Sequence, residues 1–156
     1  MTLYTLNLPV PADNARKTWD DSTDPRTLIS AVFSFVAPVT AELFDSGLGA
    51  LIGVTEPLAA ALAATDFTGY RLVPASGEPS EYAGDYSEDR ASLSIPESLY
   101  ALQIHGRPGI DDFAATYRLV FSERVCDFLC SRDPALSARR NEVDESGRMI
   151  RRSVSD

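Results

Sequence analysis

The only histidine of the chain, His105, stands beside the turn Gly106-Arg107-Pro108-Gly109, with Asp111 and Asp112 shortly after it. A histidine oriented by a carboxylate is the minimal general base, so His105 with Asp111 or Asp112 is the catalytic arrangement that the sequence offers. It lacks a nucleophile, because no serine occupies a Gly-x-Ser-x-Gly turn and no cysteine has a local catalytic signature. A structural or turn-capping histidine is the favoured reading, with a small enzyme as the alternative. Cys126 and Cys130 lie one helical turn apart on one face, and with His105 they would supply three of the four ligands of a closed zinc site. The spacing is not C-x2-C, no fourth ligand stands out, and cysteine packs well beside Val125 and Leu129, so core packing is expected. No glycine-rich phosphate loop, dinucleotide fingerprint or EF-hand spacing occurs, and no metal or cofactor is expected.

Carboxylates supply the other candidate surface. The segment from Pro74 to Pro96 holds Glu78, Glu81, Asp85, Glu88 and Asp89 against Arg90, with Tyr82 and Tyr86 among them. Aromatic anchors among charges suit a protein interface, and a plain solvated loop is the equally weighted alternative. The expected contact residues are therefore Tyr82, Asp85, Tyr86, Glu88 and Asp89, with Asp20, Asp21 and Asp24 of an earlier acidic run second. The formal charge of −9 over 156 residues argues against nucleic acid, which requires a basic footprint, and suits equally a basic partner or solubility alone. The apolar run Leu58–Ala64 is too short to span a bilayer. The amino-terminal stretch MTLYTLNLPVP lacks the pattern of a secretory signal, and two cysteines cannot form a disulfide framework, so a cytoplasmic protein is expected.

The elements that must position these residues centre on Tyr117–Ser131. Arg118–Phe121 reads as a buried strand, Ser122 as a helix cap, Glu123 as charge in a positive first turn, and Val125, Phe128 and Leu129 as an inward stripe. Leu51–Ala64 repeats the scheme, with Thr55 as cap, Glu56, Pro57 in the first turn and Leu62 in the stripe. This is either an internal duplication or two similar solutions to one local problem. Leu3–Leu8 reads as a strand, and Trp19 falls in a polar connection. Asp24-Pro25 starts a short helix that runs into a strand ending at Pro38. Short helices are expected at Thr40–Phe44 and over Ile95–Gln103. Thr68-Gly69 closes the helix after Thr55, and Tyr70–Val73 is a strand stopped by Pro74. With 44% apolar residues the chain can bury one core. The expectation is one α+β domain over residues 1–136, a small mixed sheet with flanking helices, then a polar tail or terminal hairpin over 137–156.

IPESLYALQIHGRPGIDDFA followed by LVFSERVCDFL resembles the immunity proteins of bacterial polymorphic-toxin systems. There a helix, an H-x-x-P-G-x-D-D-F-like turn and a strand-SER-helix follow one another. VTEPLAAALAATDFTGYRLVP resembles the upstream strand-SE-helix-Thr-Gly-strand of the same proteins. The resemblance implies a cytoplasmic, non-catalytic protein that binds and neutralises a cognate toxin. It carries over no contact residue, because such families share folds while their toxin-contacting surfaces diverge. A non-catalytic adaptor with no toxin partner is the remaining alternative.

Overall fold

The computed structural model describes residues 1–81 and 93–150. The chain is α+β: among the described residues, ten strands form a four-stranded and a six-stranded sheet, with helices following two of the strands. Two compact units are present. One comprises Met1–Asn7, Asp66–Tyr70 and the described residues from Ile104 onward; the other comprises Leu8–Thr65 and the described residues of Arg71–Gln103.

The first unit holds an antiparallel sheet in the order β10-β1-β9-β8, with β1 Leu3–Leu6, β8 Phe113–Ala115, β9 Leu119–Ser122 and β10 Arg140–Val143. Alternation sorts its side chains by face. Leu3, Ala114, Val120 and Val143 form one buried cluster. Phe113 and Phe121 meet edge to face at 5.6 Å. β9 leads directly into α2, Glu123–Arg132, which buries Val125, Cys126, Leu129 and Cys130. Phe128 sits at the flank of this stripe, edge-on to Phe67 at 5.3 Å. The segment after residue 136 completes a 3-10 turn, Pro134–Arg139, and then forms β10 along β1. A tight turn at Asp144–Arg148 brings Met149 back opposite Val143.

The second unit is built on a mixed sheet in the order β2-β3-β6-β7-β5-β4. β2 Ala12–Asp20 and β3 Thr27–Phe35 form a long antiparallel hairpin, and β3 runs parallel to β6 Tyr70–Pro79. β5 Ile52–Thr55 lies between β4 Leu43–Asp45 and β7 Leu99–Ile104, antiparallel to both, and feeds α1, Glu56–Ala63. Phe33, Phe35 and Phe44 are fully buried, with ring centroids 5.2 to 6.2 Å apart. Gly53 and Gly77 create the space for this trio, since a methyl group on either would overlap the ring of Phe44 or Phe35.

Several expected elements differ. Asp24-Pro25 starts no helix: it lies in the β2–β3 loop, and residues 27–35 are one strand whose burial alternates from Ala31 to Phe35. Trp19 belongs to β2, opposite Leu28. Thr40–Phe44 leads into strand β4, and the helix expected over Ile95–Gln103 is strand β7. Pro74 lies inside β6, and only from Ala75 onward does β6 pair with β3. Gly69 is not the end of α1, which closes at Ala64. It stands at φ +94, with its carbonyl accepting from the amides of His105 and Gly106 at 2.9 and 3.0 Å. Its Cα would lie 2.8 Å from a Cβ on Gly106, so the two glycines permit a close backbone crossing.

The aromatic trio yields a stability prediction. Gly53→Ala should cost about 1–3 kcal/mol through overpacking against Phe44, read as a lower urea midpoint. Adding Phe44→Leu should recover part of the loss. An unchanged midpoint in the single variant would contradict this packing.

Candidate functional site

The residues expected to do chemistry converge, within the first unit, on Asp112. This side chain is 5% exposed and is the one charged residue among those fully buried in the described chain. Its carboxylate is saturated. Oδ1 accepts from Ser122 Oγ at 2.7 Å and from Arg124 Nε at 2.7 Å. Oδ2 accepts from Arg124 Nη2 at 2.7 Å, the Thr68 amide at 3.0 Å and, more distantly, Thr68 Oγ1. The Arg124 contact is the bidentate fork that makes guanidinium–carboxylate pairs strong and directional.

Local sequence explains the convergence. Ser122 ends β9 in extended conformation and caps α2, accepting from the Val125 amide at 3.4 Å. The same hydroxyl has its proton free to donate to Asp112, so one side chain serves both the helix and the carboxylate. The Ser122 amide donates to the Asp112 carbonyl at 2.8 Å, which holds the Asp111-Asp112-Phe113 strand entry against the helix start. Arg124, half-exposed in the first turn of α2, also reaches Asp66 Oδ1 at 2.9 Å and lies 5.0 Å over the Phe67 ring.

These contacts push both partners away from neutrality. The Arg124 fork holds the Asp112 carboxyl far below the usual aspartate range, opposed by burial and aided by Ser122 and the Thr68 amide. Hydrogen bonding to Asp112 raises Arg124 further above its already high value. A general acid or base works best with a pKa near the ambient pH, and neither member of this pair meets that requirement. The node is a clasp.

His105 is exposed, and among the described residues its imidazole makes no hydrogen bond to either aspartate. Asp111 Oδ2 accepts from the Arg107 amide at 2.8 Å, so it closes the turn. The structure therefore brings neither Asp111 nor Asp112 to His105 as a catalytic partner.

Cys126 and Cys130 are free and buried, and no metal-binding group of three or more His, Cys, Asp or Glu side chains exists among the described residues. Burial pushes the Cys126 thiol up to about 12. The two cysteines pack as small apolar residues in the inward face of α2.

Of the carboxylates expected at an interface, Asp20, Asp21 and Asp24 gather at the β2–β3 hairpin end in the second unit, where residues 21–26 are all exposed. Asp20 Oδ1 accepts from the Ser22 hydroxyl at 2.6 Å and the Ser22 amide at 3.0 Å, and these bonds lower its pKa. Arg26 lies 4.3 Å over the Trp19 ring and 4.0 Å from Asp21. Tyr82, Asp85, Tyr86, Glu88 and Asp89 lie outside the described residues.

No family model, curated protein or solved structure matches this chain.

Sequence reasoning placed Ser122 as a cap but missed Arg124 as the counter-ion of Asp112. The available signal was the arginine two residues after a cap serine, where a first-turn side chain can reach the group that the cap contacts.

Two tests follow from this geometry. Asp112→Asn should destabilise the protein by about 2 kcal/mol at neutral pH, below the usual cost of breaking a fully buried pair because Arg124 faces solvent. Because the folded-state pKa of Asp112 is depressed, its contribution is complete above the ordinary aspartate value of about 3.9. It drains away as pH falls towards the folded value. The difference in urea midpoint between wild type and Asp112→Asn should therefore narrow from about pH 6 to about pH 3; a constant difference would mean that the charge is not what stabilises. For the cysteines, a thiol reagent at about pH 8 should label the native protein far more slowly than the urea-unfolded chain. Rapid native labelling would place the thiols at the surface.

Proposed function

We propose that this chain is an immunity protein that binds and neutralises a cognate protein toxin by covering it, without catalysis. The observation that carries the reading is the engagement of Asp112. The residues that carry the family resemblance, Asp112 and Phe113 in one motif and Ser122, Glu123 and Arg124 in the other, include a clasp that closes strand entry onto helix start. Shared residues of this kind specify a scaffold and leave the surface free to differ between partners. Among the described residues, no aspartate is hydrogen-bonded to the one histidine.

The partner surface in this reading is acidic. The net charge of −9 favours fast encounter with a basic protein. At the exposed hairpin end with Asp20, Asp21 and Asp24, the Asp20–Ser22 bonds order the Asp20 side chain, which lowers the entropy cost of binding through it. Tyr82, Asp85, Tyr86, Glu88 and Asp89 extend the proposed surface in sequence. The reading places its action in the cytoplasm, and no described helix is long and apolar enough to cross a membrane.

The test is growth rescue. A toxin-like domain encoded beside this chain's gene, which the immunity reading requires, is induced in a bacterium with and without the protein. Rescue with a co-purifying complex is the expected result. Reversing Asp20, Asp21 and Asp24 together to lysine should weaken that complex about tenfold and steepen growth inhibition. Toxicity that the wild-type protein does not relieve would end the immunity reading. Rescue unaffected by reversal would remove the hairpin end from the interface.

A further inference from the structure

In the second unit, the register of β4, β5 and β7 places three glutamates at the same end of the sheet. Leu43 pairs with Val54, and the Thr55 amide donates to the Glu42 carbonyl at 2.9 Å, so Glu42 stands opposite Thr55. Thr55 also pairs with Leu99. Glu42, Glu56 and Glu97 consequently sit just beyond three adjacent strands. They line an open concavity of about 580 Å3, together with Thr55 and the rigid walls Pro57 and Pro96. No Lys, Arg or His is among its described lining residues. The buried Thr55 hydroxyl has no hydrogen-bond partner among the described residues, although Thr55 holds the position at the head of α1 that Ser122 holds on α2.

A second depression adjoins this one. Thr40 and Ala41 line both the first concavity and this neighbouring apolar depression of about 190 Å3 formed by Pro9, Val10, Pro11, Ala37, Pro38 and Phe44. Val10 is 54% exposed there. The walls are proline-rich and pre-shaped, one end apolar and the other acidic. Such a path suits an extended chain better than a compact small molecule, because a strand-like segment can set successive side chains into separate depressions.

We propose that this groove binds an extended, basic segment of a partner protein, with an arginine or lysine at Glu56 and Glu97 and an aliphatic side chain at the proline-lined end. The proposal rests on the immunity reading only for the identity of the partner, since the groove's chemistry stands by itself.

The experiment titrates the isotopically labelled full chain with an acetylated hexapeptide of alternating arginine and leucine, and with the counterpart carrying glutamate for arginine. Expected are amide shifts centred on Thr40, Ala41, Glu42, Thr55 and Glu97 for the basic peptide alone, weakening as salt rises. The variant Glu97→Lys, in an exposed segment outside any helix, should reduce affinity at least tenfold, and the milder Glu56→Gln should reduce it less. Shifts centred elsewhere, or equal binding by Glu97→Lys and wild type, overturn the proposal. In the rescue assay, full protection by Glu97→Lys alongside full protection by wild type removes the groove and leaves immunity standing. Failure of the wild type to protect removes immunity, and the peptide titration then decides the groove.

Discussion

A buried charge has to be answered on every side, and in the first unit that constraint is set by Asp112. A carboxylate withdrawn from water is tolerated only when hydrogen bonds and an opposite charge replace its hydration. Its donors come from three stretches of chain: the Thr68 region, the β9–α2 junction and the first turn of α2. None of these can shift without exposing a charge to an apolar surround. Phe113, next to the carboxylate, is thereby fixed against Phe121, Phe67 and Tyr70, at ring-centroid distances of 5.6, 6.3 and 4.6 Å. Polar demand and aromatic packing thus specify one register for β8 against β9.

The second unit answers a different constraint, one of volume. Three phenylalanines share one interior, and the strands that cross them carry glycine where a ring must lie flat on the backbone. Its helix begins without the side-chain cap that α2 has, although Thr55 stands at the right place. Pro57 in the first turn makes one missing donor irrelevant, and Glu56 meets the positive end of the helix. The two strand-helix junctions look alike in sequence, with a hydroxyl residue, a glutamate and an aliphatic stripe. They are stabilised by different interactions.

Much of this was legible where local chemistry decides. Ser122 followed by Glu123 announced a capped helix, the cysteines announced a core face, and the α+β class followed from alternating strand and helix signals. The misreadings share one physical cause. Over Leu28–Phe33 and Leu99–Leu102 the apolar residues fit period 3.6 as well as a buried strand, and tertiary pairing resolves the choice. Pro74 was read as a stop, yet at the exposed position before β6 meets β3 it costs no ladder bond of that pair. The clasp was half legible. Ser122 and Asp112 are ten residues apart and Arg124 reaches across 58 residues to Asp66, a pairing that no local pattern encodes.

Three of the residues at or beside those that first invite a chemical reading are engaged in holding the first unit together. Asp112 and Arg124 hold each other at opposite extremes of protonation, and Cys126 is kept as a thiol by burial. What remains available to a partner is what the packing leaves outside: carboxylates at the hairpin end, and glutamates aligned by strand register beside a proline-lined depression. A buried clasp and an acidic exterior impose separate demands on the sequence. Within the clasp, a change at Ser122 or Arg124 removes donors from the buried carboxylate of Asp112. The exterior can change its charges one by one at little cost to the fold. Surface charge can therefore be altered without rebuilding the scaffold.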